Sequence, residues 1–183
     1  VLTGFPETFA PALHAACVGN PVRAEVAALL APDVRLGTRT GRLRLLVVGG
    51  SLGAQVFNEV VPQALAGLAP AQRPDIRHQC GRGRREWTAA AYRDAGVDAS
   101  VTEFLDDMAA AYAWADLVLC RAGAMTIAEL AAAGLPAILV PYPYAAGDHQ
   151  RANATFLARH DAAILLPQPE FTPLRLRELL GEL

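Results

Sequence analysis

The stretch LVLCRAGAMTIAELAAAGLPAILV, residues 117–140, carries a complete strand–helix–strand pattern. Its first four residues form an uninterrupted apolar run, which is typical of a strand buried on both faces. A turn of small residues follows, and then a helix-like segment that ends at Gly134-Leu135-Pro136. A second apolar run closes the stretch. Two such runs joined through one helix predict a parallel βαβ unit.

The same alternation continues on both sides of this stretch. We predict strands at residues 43–48, 75–80, 100–104, 116–120, 137–140 and 162–166. Helices are predicted after residue 123 and at residues 54–68, 84–95, 106–115, 148–159 and 173–180. The first forty residues are less regular, with one helix predicted at 24–30. We therefore expect an α/β fold, a doubly wound parallel sheet of about six strands.

The composition indicates one soluble globular domain. Of the 183 residues, 53% are hydrophobic and 19% charged, and the formal net charge is -2. All 16 basic residues are arginines. Near-neutral charge without an extended basic run argues against a surface that binds nucleic acid. The longest uncharged stretch, residues 130–147, is broken by glycine and proline, so it is not interpreted as a membrane span.

The three cysteines, Cys17, Cys80 and Cys120, stand far apart, and none belongs to a C-x-x-C pair. A zinc site or a disulfide framework is therefore not expected, and we predict buried free thiols. His78 lies inside a strand-like run and is interpreted as structural.

Chemically distinctive residues collect where the predicted strands end, which is where doubly wound sheets bind ligands. The glycine turn GGSLG, residues 49–53, follows the first of the six strands. Glycines let backbone N–H groups approach an anion, and the next helix adds the partial positive charge of its N-terminus. The turn lacks the Lys-Ser/Thr of a P-loop and does not fit G-x-G-x-x-G, which disfavours an NTPase and a dehydrogenase. A plain turn and a phosphate site both fit this pattern.

Residues 120–130 form a second strand-to-helix junction, with free N–H groups expected at its small-residue turn. Two helix N-termini at one sheet edge can hold a diphosphate from both sides. Thr126 and Glu129 also have the spacing of a capping box, worth on the order of 1 kcal/mol to a helix. Taken alone, the pattern favours capping. A carboxylate one turn inside the helix can equally accept hydrogen bonds from two ribose hydroxyls.

A third junction, DHQRAN at residues 148–153, is predicted to open a helix with Asp148 as its N-cap. His149 and Gln150 can read sugar hydroxyls, although a solvated helix start is the simpler interpretation. The pair Asp106-Asp107 is interpreted as capping and first-turn acids rather than metal ligands. Paired carboxylates, Ser-His-Asp spacing and metal-ligand clusters do not stand out in the sequence.

Several segments closely resemble the C-terminal half of the MurG family, the bacterial N-acetylglucosaminyltransferases that make lipid II of peptidoglycan. They are VGNPVR (18–23), GGSLGAQVFNEVVPQAL (49–65), the long central segment from VTEFLDDM to PYP (101–143) and HQRANA (149–154). The resemblance implies the C-terminal half of a GT-B fold, in which two Rossmann-like domains face each other across a cleft. It also implies transfer of N-acetylglucosamine from UDP-GlcNAc to lipid I, with inversion at the anomeric carbon and without a metal or other cofactor.

In that family this half binds the donor. The resemblance thus implies that residues 1–22 lead in from another domain and that residues 23–183 form the UDP-GlcNAc-binding domain. It implies that Arg23 and Ser51 contact the diphosphate region and that the Leu105 backbone contacts the uracil edge. The backbones of Ala124, Met125 and Thr126 would contact the sugar and phosphates. Glu129 would bind the ribose hydroxyls, and Gln150, with His149 beside it, the N-acetylglucosamine hydroxyls. On this basis Glu129 is predicted to be a ribose ligand rather than a cap.

The family's proposed general base, a histidine, belongs to its N-terminal domain, so no catalytic residue is expected in this chain. The resemblance implies that lipid I and the membrane surface are contacted through that domain. It implies a cytoplasmic location at the inner face of the bacterial membrane. Two alternatives stay open: a UDP-sugar epimerase, and a donor-binding subunit that pairs with a separate catalytic chain.

Overall fold

A computed structural model describes residues 1–6, 13–37, 39–50, 53–145 and 148–182. A short parallel ladder of β1 (Leu2–Thr3) and β2 (Ala16–Cys17) precedes the main sheet. The main sheet consists of β3 (Arg44–Val48), β4 (Asp75–Gln79), β5 (Ser100–Thr102), β6 (Leu117–Cys120), β7 (Ala137–Leu139) and β8 (Ala163–Leu165).

The strands of the main sheet run in the order β5-β4-β3-β6-β7-β8, and every neighbouring pair is parallel. The winding therefore reverses between β3 and β6. In open α/β sheets this switch point leaves a crevice at the carboxyl ends of the strands, because the loops on either side lead away in opposite directions. The predicted doubly wound sheet is confirmed.

The helices are α1 (Ala24–Ala27), α2 (Pro32–Gly37), α3 (Gln55–Ala66), α4 (Arg85–Asp94), α5 (Met108–Trp114), α6 (Ala124–Ala133), α7 (His149–Ala158) and α8 (Pro173–Gly181). Two 3₁₀ turns, Pro70–Gln72 and Gln168–Glu170, complete the described elements. Each predicted helix and strand is present, and most are one or two residues shorter than expected. Helix α2 and strand β1 were not predicted from the sequence.

Both faces of the sheet are covered. Leu45 and Val47 of β3 point into a core formed with α3, α4 and α8, and Leu46 points into a second core formed with α1, α5, α6 and α7. All three side chains are fully buried. Fully burying a residue of this size stabilises a fold by about 1.5–3 kcal/mol, which explains why these strands read as continuous apolar runs.

β4 departs from this pattern because it buries two polar side chains. His78 is 1% exposed, and its Nδ1 lies 2.8 Å from the Tyr92 hydroxyl. The predicted structural role of His78 is confirmed. Gln79 Nε2 donates to the carbonyls of Gly50 at 2.9 Å and Glu103 at 2.8 Å. Gln79 thereby ties together the loops that follow β3 and β5.

Of the cysteines, Cys80 and Cys120 are buried free thiols, as predicted, but Cys17 is exposed. The prediction was wrong there because Cys17 belongs to the small β1–β2 ladder, whose strands contribute little to either core. Within the described ranges, no helix has the length and apolar character needed to cross a bilayer.

Candidate functional site

A cavity of about 640 Å³ lies at the carboxyl edge of the sheet, at the switch point. Its walls come from the turn after β3, the loop after β4, the turn after β6 and the segment between β7 and α7. The residues that line the cavity include Gly50, Arg84, Gly123, Tyr142 and Gln150. Two smaller cavities, of about 370 and 410 Å³, lie near the amino ends of the strands instead.

The glycine turn after β3 brings backbone unusually close to backbone. Gly53 has φ +70°, and a Cβ at this position would collide with the Cys80 carbonyl. A Cβ on Gly49 would collide with the Ala54 amide nitrogen. Glycine is therefore required at both positions. Ser51, a predicted diphosphate contact, lies outside the described residues.

The turn leads into α3 without a side-chain cap. Ala54 is the N-cap residue, its methyl side chain cannot accept a capping hydrogen bond, and the first turn holds no acidic residue. The first amide groups of a helix have no partner within the helix, and they carry its partial positive charge. Ala54, Gln55 and Val56 line the cavity, so this helix N-terminus opens into it.

The N-terminus of α6 faces the same cavity. The helix begins at Ala124 after Gly123, which has extended dihedrals and provides no side-chain cap. Thr126 is thus the third helical residue and not the N-cap, so the capping-box interpretation of Thr126 and Glu129 is wrong. The physical reason is the small-residue turn: Gly123 adopts the extended N-cap conformation, so the helix begins at Ala124, ahead of Thr126. Thr126 lines the cavity beside Gly123.

Ala124 and Met125 precede Thr126 in the first turn of α6. Ala124 is half-buried, and the Met125 side chain is 46% exposed. Neither forms part of the cavity lining, although both stand at the same uncapped helix start.

Glu129 lies in the second turn of α6 and is 3% exposed. Its carboxylate accepts hydrogen bonds from Arg23 Nε at 2.6 Å and Arg23 Nη2 at 2.7 Å. The Tyr112 hydroxyl donates to Oε2 at 3.4 Å. The hydrogen bond to Glu129 raises the pKa of Arg23, and burial raises the pKa of Tyr112. Arg23 and Glu129, which sequence reasoning assigned to different parts of a donor, thus contact each other.

The side chain of Gln150 ties two loops of the cavity together. Its Oε1 accepts from the backbone N–H groups of Tyr142 at 2.9 Å and Ala122 at 3.3 Å. Its amide nitrogen forms no hydrogen bond with another described residue, and since Gln150 lines the cavity this nitrogen can serve as a donor there. His149 precedes Gln150 as the first residue of α7 and is exposed. Asp148 occupies the N-cap position as predicted, but at φ +54° its side chain makes no capping bond.

Leu105 lies between β5 and α5, where it is half-buried against the second core and outside the cavity lining. Asp107 caps α5 by accepting a hydrogen bond from the Ala110 amide at 2.8 Å, which confirms its predicted role. Among the described residues, no group of three or more His, Cys, Asp or Glu side chains is placed to hold a metal ion.

Arg121 is a cavity residue that the sequence analysis did not select. Its guanidinium lies 4.9 Å from the Phe57 ring centroid and 5.4 Å from that of Tyr142. Nη1 donates to the carbonyls of Val140 at 3.1 Å and Pro141 at 3.2 Å. Burial lowers the pKa of Arg121. The available signal was its position, because it directly follows the apolar run of β6 at the switch point.

The cavity brings together only part of the predicted set. Thr126 and Gln150 line it beside the glycine turn, whereas Arg23, Leu105 and Glu129 lie outside its lining. Arg84 and Arg121 add two positive charges to the walls, and the described lining contains no Asp or Glu. Two uncapped helix N-termini and two cations without a carboxylate form a site suited to an anion, above all a phosphate group.

Comparison with known proteins agrees with this geometry. The family described as "Glycosyltransferase family 28 C-terminal domain" matches residues 44–183. A Marinobacter nauticus protein named UDP-N-acetylglucosamine--N-acetylmuramyl-(pentapeptide) pyrophosphoryl-undecaprenol N-acetylglucosamine transferase is 57% identical over 183 residues. The match covers 100% of this chain and 50% of that protein. The chain thus spans half the length of this relative.

Solved structures share the fold. MurG from Acinetobacter baumannii is 40% identical with a TM-score of 0.83, and the match covers 99% of this chain and 50% of that one. The calicheamicin glycosyltransferase CalG4 is 20% identical with a TM-score of 0.61, covering 98% of this chain and 41% of that one, which shows a common fold only. The predicted half of a GT-B fold is thereby confirmed. By its sequence match and its structure, the chain belongs to glycosyltransferase family 28, as a C-terminal domain of that family.

Proposed function

We propose that this chain binds UDP-GlcNAc as the donor half of an inverting glycosyltransferase, which adds N-acetylglucosamine to lipid I to make lipid II. The observation that carries the proposal is the acid-free cavity at the switch point, with helix N-termini of α3 and α6 on its walls. The printed name of the Marinobacter relative supports the identity of donor and acceptor. Residues 23–183 would form the donor-binding domain, and residues 1–22 the segment that joins it to the acceptor-binding domain.

The diphosphate would lie between the two helix N-termini. The backbone N–H groups of Ala124, Met125 and Thr126 would donate from α6, and Ser51 would contribute from the glycine turn. Such N–H groups stabilise the negative charge that develops on UDP as it leaves the sugar, because they are already oriented toward the phosphates. Arg121 would add a positive charge at the same place.

The uridine would lie on the α5–α6 side of the sheet edge. The Leu105 backbone would contact the uracil edge, and Glu129 would accept hydrogen bonds from the ribose hydroxyls. A carboxylate has about four acceptor sites, and Arg23 takes two of those on Glu129 and Tyr112 a third. One ribose hydroxyl would use the fourth site, and the second would replace the long Tyr112 bond while Arg23 keeps its two contacts. Arg23 Nη1 takes no part in those contacts and would remain available for the diphosphate.

The N-acetylglucosamine would lie against the start of α7. Gln150 would donate from Nε2 to a sugar hydroxyl, since its Oε1 is already bound to two backbone amides. His149 would stand beside it. One donor in a fixed position distinguishes sugars that differ in the orientation of a single hydroxyl, because the wrong epimer leaves that donor unpaired.

The acceptor half of the reaction would depend on the family's N-terminal domain. A general base must lie within hydrogen-bond reach of the acceptor hydroxyl, and we propose that this base, lipid I and the membrane contact all belong to that domain. The enzyme would act on the cytoplasmic face of the bacterial membrane. This chain alone would therefore bind the donor and transfer little or no sugar.

A thermal-shift panel combined with a transfer assay tests the proposal. We expect UDP-GlcNAc and UDP to raise the melting temperature of the chain, because ligands that bind only the native state stabilise it. GDP-mannose and NADH serve as controls and should leave it unchanged. With a soluble lipid I analogue, the chain should show no sugar transfer. Stabilisation by NADH alone, or robust transfer by the chain, would contradict the proposal. Donor isomerisation without an acceptor would indicate the epimerase.

A further inference from the structure

The loop after β4 places an arginine on the cavity wall opposite the turn after β6. Arg84 stands immediately before α4, lines the cavity and is half-buried. Arg84 is not among the residues selected from the sequence, and the family resemblance assigns it no role.

Arg84 is only weakly engaged by its neighbours. Its Nη1 donates to Gln55 Oε1, a neutral acceptor, at the long distance of 3.4 Å. Within the described part of the chain, no carboxylate lies within ion-pair distance of it. The Glu103 carboxylate is engaged elsewhere, since its Oε1 accepts from the Gly83 amide at 2.9 Å. Most of the N–H donors of Arg84 thus remain available for a ligand.

Other described arginines are differently bound. Arg39 pairs with Asp116 and donates to two carbonyls at the end of α5, and Arg73 donates to three carbonyls. Those side chains hold the fold together. Arg84 makes no comparable set of contacts, and its side chain borders the cavity that already contains Arg121 and the α3 N-terminus.

We propose that Arg84 is a further diphosphate-binding residue of the donor site. The inference rests on the proposed function, in which a nucleoside diphosphate sugar occupies this cavity. A guanidinium presents its N–H groups as a planar fork that matches two phosphate oxygens. Arg84 reaches the ligand from the α3–α4 side of the sheet, and Arg121 from the β6–β7 side. The weak bond to Gln55 is given up when the phosphate binds.

The test compares two variants that remove the same charge from neighbouring positions. Arg84→Gln removes the proposed contact, and Arg85→Gln removes an exposed arginine of the first turn of α4 that does not line the cavity. Binding of UDP and UDP-GlcNAc is measured by calorimetry, and binding of uridine by NMR chemical-shift titration. Arg84→Lys is the third variant, because lysine keeps the charge and loses the fork.

We expect Arg84→Gln to weaken UDP and UDP-GlcNAc binding about tenfold, the size of one charge-assisted hydrogen bond, and to leave uridine binding unchanged. Arg84→Lys should fall between this variant and the wild type, and Arg85→Gln should bind like the wild type. Equal UDP affinity in the wild type and Arg84→Gln would overturn the assignment of Arg84 and leave the proposed function intact.

Two further outcomes separate the sources of the diphosphate. If Arg84→Gln weakens binding of geranyl diphosphate but not of UDP, the assignment of Arg84 to the donor site is overturned, the proposed function of the chain stands, and the residue serves another diphosphate ester. If the wild-type chain binds neither UDP nor UDP-GlcNAc, the proposed function fails, and the inference fails with it.

Discussion

The Glu129 carboxylate is held by the Arg23 guanidinium through two hydrogen bonds, of 2.6 and 2.7 Å, between residues 106 positions apart in the sequence. Arg23 is the residue just before α1, and Glu129 lies inside α6. The pair therefore connects the chain entering the main domain with a helix at the switch point. The Arg23 side chain is 49% exposed, so the pair contributes little to the free energy of folding. Its main effect is to fix the orientation of the Glu129 carboxylate.

Glu129→Gln tests whether this carboxylate holds a ribose. We expect the wild-type chain to bind UDP about tenfold more tightly than 2′,3′-dideoxy-UDP, because hydrogen bonds to a charged acceptor are lost with the hydroxyls. In Glu129→Gln this difference should shrink to about twofold. Glu25→Gln, an exposed charge change in α1, is the control. A variant that keeps the full difference would give Glu129 a purely structural role with Arg23.

Gln150→Glu tests the role of the side-chain nitrogen separately from that of the side-chain oxygen. The new carboxylate can still accept from the Tyr142 and Ala122 amides, so the melting temperature should stay close to that of the wild type. The donor nitrogen is lost, and a negative charge enters the cavity near the diphosphate. We expect UDP-GlcNAc affinity to fall at least about tenfold, measured by calorimetry.

The control for this change is Gln63→Glu, on the exposed face of α3. Unchanged UDP-GlcNAc affinity in Gln150→Glu would place the sugar away from α7.

Gly53→Ala tests the backbone geometry of the glycine turn. Alanine at φ +70° is strained, and its Cβ would collide with the Cys80 carbonyl, so we expect a loss of about 3 kcal/mol in the free energy of unfolding. Gly96→Ala is the matched control: Gly96 has φ +64° but open space where a Cβ would be. It should lose only about 1–2 kcal/mol, the conformational cost alone. Equal losses in urea denaturation would mean that the collision is relieved at no cost.

The buried His78 should make stability depend on pH. Burial lowers the pKa of His78 to about 3 from 6.5, so the folded state favours the neutral ring. This contribution is fully present above the unfolded pKa and is lost as the pH falls from 6.5 toward 3. Stability should decline by up to about 1.4 kcal/mol per pH unit in that window.

Urea denaturation between about pH 7.5 and 5 measures this slope. His78→Gln is the comparison, since glutamine does not titrate and can still contact the Tyr92 hydroxyl. The variant should have a shallower slope than the wild type. Parallel slopes would show that His78 takes up a proton as readily in the folded chain as in the unfolded chain, so that burial does not lower its pKa.

The order of strands and helices was predictable because the strands are buried on both faces. All four residues of Leu117–Cys120 are buried, so all four are apolar, and this apolar run predicts a strand from composition alone. The start of α6 after residue 123 was predicted correctly, but the capping role of Thr126 was not, because capping propensity favours threonine whereas Gly123 is the N-cap residue. Helix α2 was not predicted because it buries none of its residues and so has no apolar stripe.

Contacts in the site were harder to predict than its position. Thr126 and Gln150 were selected because they follow strands at the switch point, and the fold brings both to one cavity. The Arg23–Glu129 pair depends on how α1 packs on α6, which local patterns do not encode. Arg84 and Arg121 were missed for a related reason. An arginine after a strand is ordinary, and only the absence of a carboxylate among the described cavity walls marks these two.

Calorimetric titration of the chain with UDP-GlcNAc and UDP-GalNAc, in the wild type and in Glu129→Gln, tests the central claim most directly. We expect saturable binding of UDP-GlcNAc, weaker binding of UDP-GalNAc, and loss of affinity for both in Glu129→Gln. Absence of UDP-GlcNAc binding to the wild-type chain would contradict the claim that this domain is a donor site.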